Sequence, residues 1–414
     1  MVALHYGIDV AAAHWNFLRL PIHVSTRGIC SIALSSCDSP DDDDSIMRKI
    51  LPAPGRFVIG IDAIDELGTH LRNLGTRAFV IGGRTSLSKV ESRIRKTLAE
   101  CGVEIVGIER GLTGCTYQNI NRLTQSGQTF KPDVCVGVGG GVASDTSKAV
   151  AFKLGLPIAV VGTTGTTNAE SSACSVVYSD KHEFLEDLIL PRNPDLVVID
   201  TNILVEAGKN TLEKGMGDAL AAKFEAEACH TSQSCNIHGG LGTSASLAAA
   251  RLCFEKLMAY GAQAKLGVDT GLVTPAVEEA IEAVKLLSGL AWEGSGTAAA
   301  HAMHDGLTLI ESIAPPHRMH GEIVAFCTLT QLILEHRPKE DFRNIIDWCH
   351  QVQLPITLEM LGDADDRQLW KAAEKACDPK DTMGNMPFEV TPRMVHDAWL
   401  MTDLLGRRYL EGKL

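Results

Sequence analysis

Gly139, Gly140 and Gly141 stand directly after the apolar run Val134-Cys135-Val136-Gly137-Val138 and directly before Ser144-Asp145-Thr146-Ser147-Lys148. A β-branched run of this kind reads as a buried strand. Glycines let backbone N–H groups approach an anion, and the following helix turns its positive N-terminus toward it. The pattern predicts a phosphate-binding turn for a nucleotide-like cofactor. It is not the G-x-G-x-x-G dinucleotide fingerprint, because Val142 occupies the third glycine position. Further along, three polar clusters interrupt apolar sequence: Gly215-Met216-Gly217-Asp218-Ala219-Leu220, His301-Ala302-Met303-His304-Asp305-Gly306 and His320-Gly321-Glu322.

The elements that position these residues follow from length and pattern. A chain of 414 residues exceeds one ordinary hydrophobic core, so more than one domain is expected. From Leu51 onward, β-rich runs at 78–81, 104–108, 134–138, 158–161 and 196–199 alternate with segments of helical period. This predicts an α/β Rossmann-like parallel-sheet domain over 51–205, with ligands bound beyond the carboxyl ends of its strands. After Asp200 the strand signals stop. Helical spacing in 244–258 and 276–290 predicts an all-α domain over 206–414. Residues 1–50 read as an extension ending in the acidic linker 38–44, its first 37 residues being either a weak organelle-targeting leader or a β-rich arm.

Composition excludes several function classes. A net charge of −13 argues against nucleic acid and anionic membranes, and no run is long and apolar enough to span a bilayer. The twelve cysteines form no C-x-x-C pair and no secretory leader precedes them, so reduced thiols in a cytoplasmic compartment are expected, with Cys135 and Cys174 as core fillers.

The ordered set Pro54-Gly55-Arg56, Gly139–Val150, Pro191-Arg192-Asn193-Pro194-Asp195, Gly215-Met216-Gly217-Asp218 and His320-Gly321-Glu322 resembles the glycerol dehydrogenase branch of the metal-dependent, group III alcohol dehydrogenases. The resemblance implies a dehydroquinate synthase-like architecture, a homo-oligomer, and one divalent metal held by Asp218, His301 and His320. Taken singly, His301 could be a core histidine and Asp218 a helix cap. As a set, one carboxylate and two imidazoles suit zinc and leave an open position for catalysis. Iron-using members add a fourth ligand where this chain has Ala222, so the site resembles the zinc type. His304 matches no ligand position and is a candidate to orient substrate or relay a proton. The implied chemistry is hydride transfer between an alcohol and a nicotinamide cofactor, with the metal easing loss of the hydroxyl proton.

Two departures from the family pattern bear on cofactor and substrate. Where NAD-using relatives commonly place an acid, this chain has Gly83 followed by Arg84-Thr85-Ser86, which is what acceptance of the NADP 2′-phosphate needs. The expected cofactor contacts are Gly83, Arg84, Gly139, Gly140, Gly141, Asp145, Thr163 and Thr164. The substrate-binding Asp of glycerol dehydrogenases is replaced by Asn168, whose amide both donates and accepts, so a differently decorated alcohol or carbonyl becomes the expected small-molecule substrate. A dehydroquinate synthase-like cyclase is the rival reading, weakened by the lack of cations around His301 before Arg318. A non-catalytic homologue is disfavoured by the intact triad.

Overall fold

The computed structural model describes residues 48–180, 183–208 and 211–414, so the leader, arm and linker expected for residues 1–44 lie outside the described residues. Eight strands occur among them: β1 (Phe57–Gly60), β2 (Arg77–Gly82), β3 (Glu104–Arg110), β4 (Val134–Gly139), β5 (Ile158–Gly162), β6 (Cys174–Tyr178), β7 (Phe184–Ile189) and β8 (Leu196–Asp200). Six form one sheet in the order β1-β8-β5-β4-β2-β3 with every pairing parallel. All five sequence-predicted strands are in it. β4, β5 and β8 are buried along their whole length, as expected for continuous β-branched runs covered on both faces. Alternate side chains feed separate cores. Val80, Val136 and Val161 pack with Leu87 and Ile94 on one face, while Phe79, Ile81 and Val160 pack with Ile120, Leu123 and Val150 on the other.

Because β3 and β4 flank β2 on opposite sides, the strand order changes direction beside the glycine turn, which is where a parallel sheet opens a crevice at its carboxyl edge. Two features were not legible in the pattern. β1 pairs with β8 at the sheet edge, and β6 and β7 form a separate antiparallel hairpin with Val176 opposite Asp187.

Beyond β8 the described residues are helical. The helix expected over 244–258 runs on as Ser244–Thr270, opened by a Thr243–Ser246 capping box and closed by Gly271 at φ 74°. The helix expected over 276–290 is interrupted: Pro275–Glu282 passes through a π-turn at Ala283–Leu287 into Ser288–Ser295. Cys135 and Cys174 are buried as expected, and burial pushes the Cys135 thiol up to about 12. No described helix is long and apolar enough to cross a membrane.

Candidate active site

Three loops meet at the carboxyl ends of β2, β4 and β5. Gly140 is the N-cap of the helix Gly141–Leu154, and its carbonyl accepts from Ala143 and Ser144. Gly139 has φ +155°, and a Cβ there would lie 2.5 Å from that of Ala143, so only glycine fits the turn. Thr163 ties the loops together: its N–H donates to the Gly139 carbonyl at 3.0 Å and its hydroxyl to Ser86 Oγ at 3.2 Å. Thr164 lies against Gly140, where an added side chain would start 2.7 Å from its hydroxyl. Gly83 caps the helix Arg84–Glu100, and a Cβ on it would meet nothing nearer than Ser86 Oγ at 3.4 Å. Arg84 is exposed and makes no ion pair among the described residues. Asp145 belongs to the helix that follows the glycine turn. One turn inside its helix, its carboxylate meets Lys148 Nζ at 3.1 Å and accepts the Val176 N–H of β6 at 3.3 Å.

The polar clusters converge. Asp218 comes from the helix Leu212–Ser232, His301 from Ala299–Leu307, and His320 opens the helix His320–Leu334. The first and last of these cross backbone to backbone, since a side chain on Gly217 would strike the Gly321 carbonyl and one on Gly321 the Lys214 carbonyl. That close approach sets Asp218 beside His320. Glu322 fixes the start of its helix by accepting the Met319 N–H at 2.8 Å. The Gly-Met-Gly-Asp and His-Gly-Glu motifs thus each combine a candidate ligand with a residue that lets its helix sit there.

Asp218 Oδ1 lies 3.3 Å from His301 Nε2 and 3.2 Å from His320 Nε2, and one ligand atom from each of the three residues lies within 4.8 Å of the others. A tetrahedral metal with bonds of about 2.0–2.1 Å holds its ligand atoms about 3.3–3.4 Å apart, so the donor set fits. Burial alone would raise the Asp218 carboxyl, yet the imidazoles of His320 and His301 hold it far below the usual carboxylate range. Burial likewise opposes charge on His301, but Glu225 and Asp218 prevail and raise it well above an ordinary histidine. The pocket is therefore built around positive charge.

Glu225, two turns along the helix from Asp218 and buried, was not foreseen. Its Oε2 accepts from His301 Nδ1 at 2.6 Å, and its Oε1 accepts the N–H groups of Ala298 and His301, both at 2.9 Å. A carboxylate behind a histidine fixes the tautomer that presents the other nitrogen to a metal. His304 is buried beside the triad, its ring 4.2 Å from that of His320 and its Nδ1 2.8 Å from Asp305 Oδ1. Burial, with the nearby His320, brings its pKa down to about 4.

The sequence pattern of the family described as iron-containing alcohol dehydrogenase matches residues 54–201. The chain is 41% identical over 367 residues to a glycerol dehydrogenase of Escherichia coli O6:H1, covering 88% of this chain and 99% of that one. It is 42% identical to a glycerol dehydrogenase of Thermotoga maritima, over 86% of this chain and 96% of that one. It belongs to this family. A solved structure of a probable glycerol dehydrogenase from Sinorhizobium meliloti superposes with a TM-score of 0.80 at 37% identity, over 87% of this chain and 99% of that one. As a member of the iron-containing alcohol dehydrogenase family, the protein is an alcohol or polyol oxidoreductase, and the cyclase reading is not favoured.

The loop that carries Asn168 is gripped from both halves by buried lysines, neither foreseen. Lys148 Nζ donates to the carbonyls of Ala169 at 2.6 Å and Ser172 at 3.1 Å. Lys285, on the π-turn, donates to the Thr167 carbonyl at 2.6 Å and to Glu170 Oε1 at 2.9 Å. The Ser171 hydroxyl returns a bond to the Lys285 carbonyl at 2.6 Å, and Asn168 Nδ2 donates to Ser288 Oγ at 2.9 Å. Such π-turns frequently mark functional sites; this one presents Lys285, and the helix that follows it Ser288, to the Asn168 loop.

Proposed function

We propose that the protein oxidises a secondary or polyol-type alcohol to its carbonyl, and runs the reverse, with NADP preferred over NAD and zinc as the metal, as a cytoplasmic homo-oligomer. The observation that carries the reading is the convergence of Asp218, His301 and His320 from three helices, in a chain whose parallel sheet ends in a glycine turn at its carboxyl edge. A metal held there supplies Lewis acidity to the hydroxyl or carbonyl oxygen. The chain does the rest: the amides after Gly140 receive the pyrophosphate, Glu225 holds His301 in its ligating tautomer, His304 packs on His320, and Asn168 orients the substrate from a loop fixed by Lys148 and Lys285. Three ligand residues rather than four support zinc.

The test is an oxidation screen of secondary alcohols, diols and polyols, with the carbonyls run in reverse against both cofactors, reading the near-ultraviolet absorbance of reduced nicotinamide. Turnover of at least one alcohol is expected. No net absorbance change with any of them, in metal-loaded protein, would sink the reading.

The cofactor preference has its own test. An acid at the end of the second strand repels a 2′-phosphate, and the open space beside Gly83 accommodates one, so Gly83→Asp is expected to shift the NADP to NAD ratio of kcat/KM toward NAD by about tenfold or more while leaving metal content as it was. An unchanged ratio would mean that residue 83 does not face the ribose.

A further inference from the structure

The hairpin of β6 and β7 carries a carboxylate that nothing above uses. Side chains alternate across a strand, and on β7 the inward face is occupied: Glu186 accepts from the Tyr117 hydroxyl, and Leu188 packs on the core beneath the helix Tyr117–Phe130. Asp187 therefore lies on the opposite face. It is exposed, and among the described residues its carboxylate has no hydrogen-bond or ion-pair partner. Val176, directly opposite it on β6, gives its N–H to Asp145 in the helix that follows the glycine turn, so Asp187 stands on the face of the hairpin turned toward that helix, with Asp305 and His320 among the charged groups that act on it. Asp145 is already engaged by Lys148 and the Val176 N–H, and Asp305 by His304. Asp187 is left on this face with an unused acceptor.

We propose that Asp187 is a specificity-determining residue whose carboxylate accepts a hydrogen bond from a substrate hydroxyl other than the one being oxidised; this rests on the functional reading above. The chain has Asn in place of the carboxylate expected at position 168, and the Asn168 Nδ2 already donates to Ser288, so a second acceptor for the substrate has to come from elsewhere. A carboxylate only accepts, so its complement is a donor, and in a polyol dehydrogenase the donor at hand is a second hydroxyl. The surrounding protein and the charges of Asp305 and Asp145 push the Asp187 carboxyl up to about 6, a strain on the anion that a bound donor relieves.

The experiment compares wild type with Asp187→Ala on 2,3-butanediol and 2-butanol, which differ by the single hydroxyl in question. The readout is the diol to mono-alcohol ratio of kcat/KM. It is expected to fall about tenfold in the variant, the loss of one hydrogen bond to a charged acceptor, with Asp187→Asn intermediate because its amide oxygen still accepts. Exposure and the lack of a bonded partner make the substitution safe for the fold, which thermal unfolding checks. A ratio that stays at the wild-type value overturns the proposal, whatever the absolute rates do. Binding is read separately by titrating both compounds into metal-loaded protein and following the fluorescence of bound reduced nicotinamide. If no alcohol turns over, the functional reading fails, while the ratio of dissociation constants still decides Asp187.

Discussion

His301→Ala and His320→Ala will each strip the divalent metal from the purified protein and take turnover below detection. Loss of an outer partner of a metal ligand commonly costs about 10- to 100-fold in affinity, and loss of one of three direct ligands costs more. The two variants will differ in stability. His320 is half exposed at the first position of its helix, and Asp218, its partner, keeps His301 when it is removed, so His320→Ala should unfold closer to wild-type temperature than His301→Ala in the metal-free state. His301 is the partner of buried Glu225, and its removal leaves Oε2 without a donor, a cost of about 1–3 kcal/mol. Elemental analysis for zinc and iron reads the first effect, and calorimetry of metal-free protein the second. Full metal retention in both variants would mean that the ion sits elsewhere.

What the chain revealed before its structure was known divides along physical lines. The five inner and edge strands were legible because buried parallel strands are near-continuous β-branched runs. β7 was not: Glu186 and Asp187 stand side by side in Phe184–Ile189, giving neither an apolar run nor an alternation, and only the packing of Leu188 and the bond to Tyr117 show which face is inward. β1 is four half-buried residues at the sheet edge, too short to carry a period. The candidate metal ligands came with motifs, and two of those motifs make sense as a glycine crossing beside Asp218 and His320. Their supports did not announce themselves. Lys148 and Lys285 look like surface cations in helical sequence, and become loop anchors only because backbone carbonyls from a distant segment turn toward them. The bond from the Val176 N–H of β6 to the Asp145 carboxylate was not legible either, because sequence spacing does not fix which neighbouring strand a helical side chain meets.

Glu225 is the sharpest case, and Glu225→Gln its test. In Phe224-Glu225-Ala226-Glu227 nothing in composition tells the two acids apart, yet Glu227 pairs with Arg251 at 3.1 Å near the surface while Glu225 is buried behind His301. The substitution keeps shape and removes charge. A carboxylate accepts three N–H groups here, whereas an amide has one accepting atom and one donating atom. If the amide oxygen stays with the backbone N–H groups of Ala298 and His301, its NH₂ faces His301 Nδ1, and the ring must move its proton to Nε2 to accept. That tautomer offers N–H where the metal needs a lone pair. Metal affinity and kcat/KM are therefore expected to fall together by about 10- to 100-fold, the usual weight of a carboxylate behind a ligating histidine. Chelator competition measures the affinity. The nitrogen chemical shifts of His301, read at a pH where the ring is neutral, separate this account from simple loss of packing, because only the tautomer argument predicts that the proton sits on Nδ1 in wild type and on Nε2 in the variant. Unchanged metal affinity with Nδ1 still protonated would show that the backbone around Ala298, and not Glu225, sets the ring, and the carboxylate would then be there to cap the first turn of the helix that carries it.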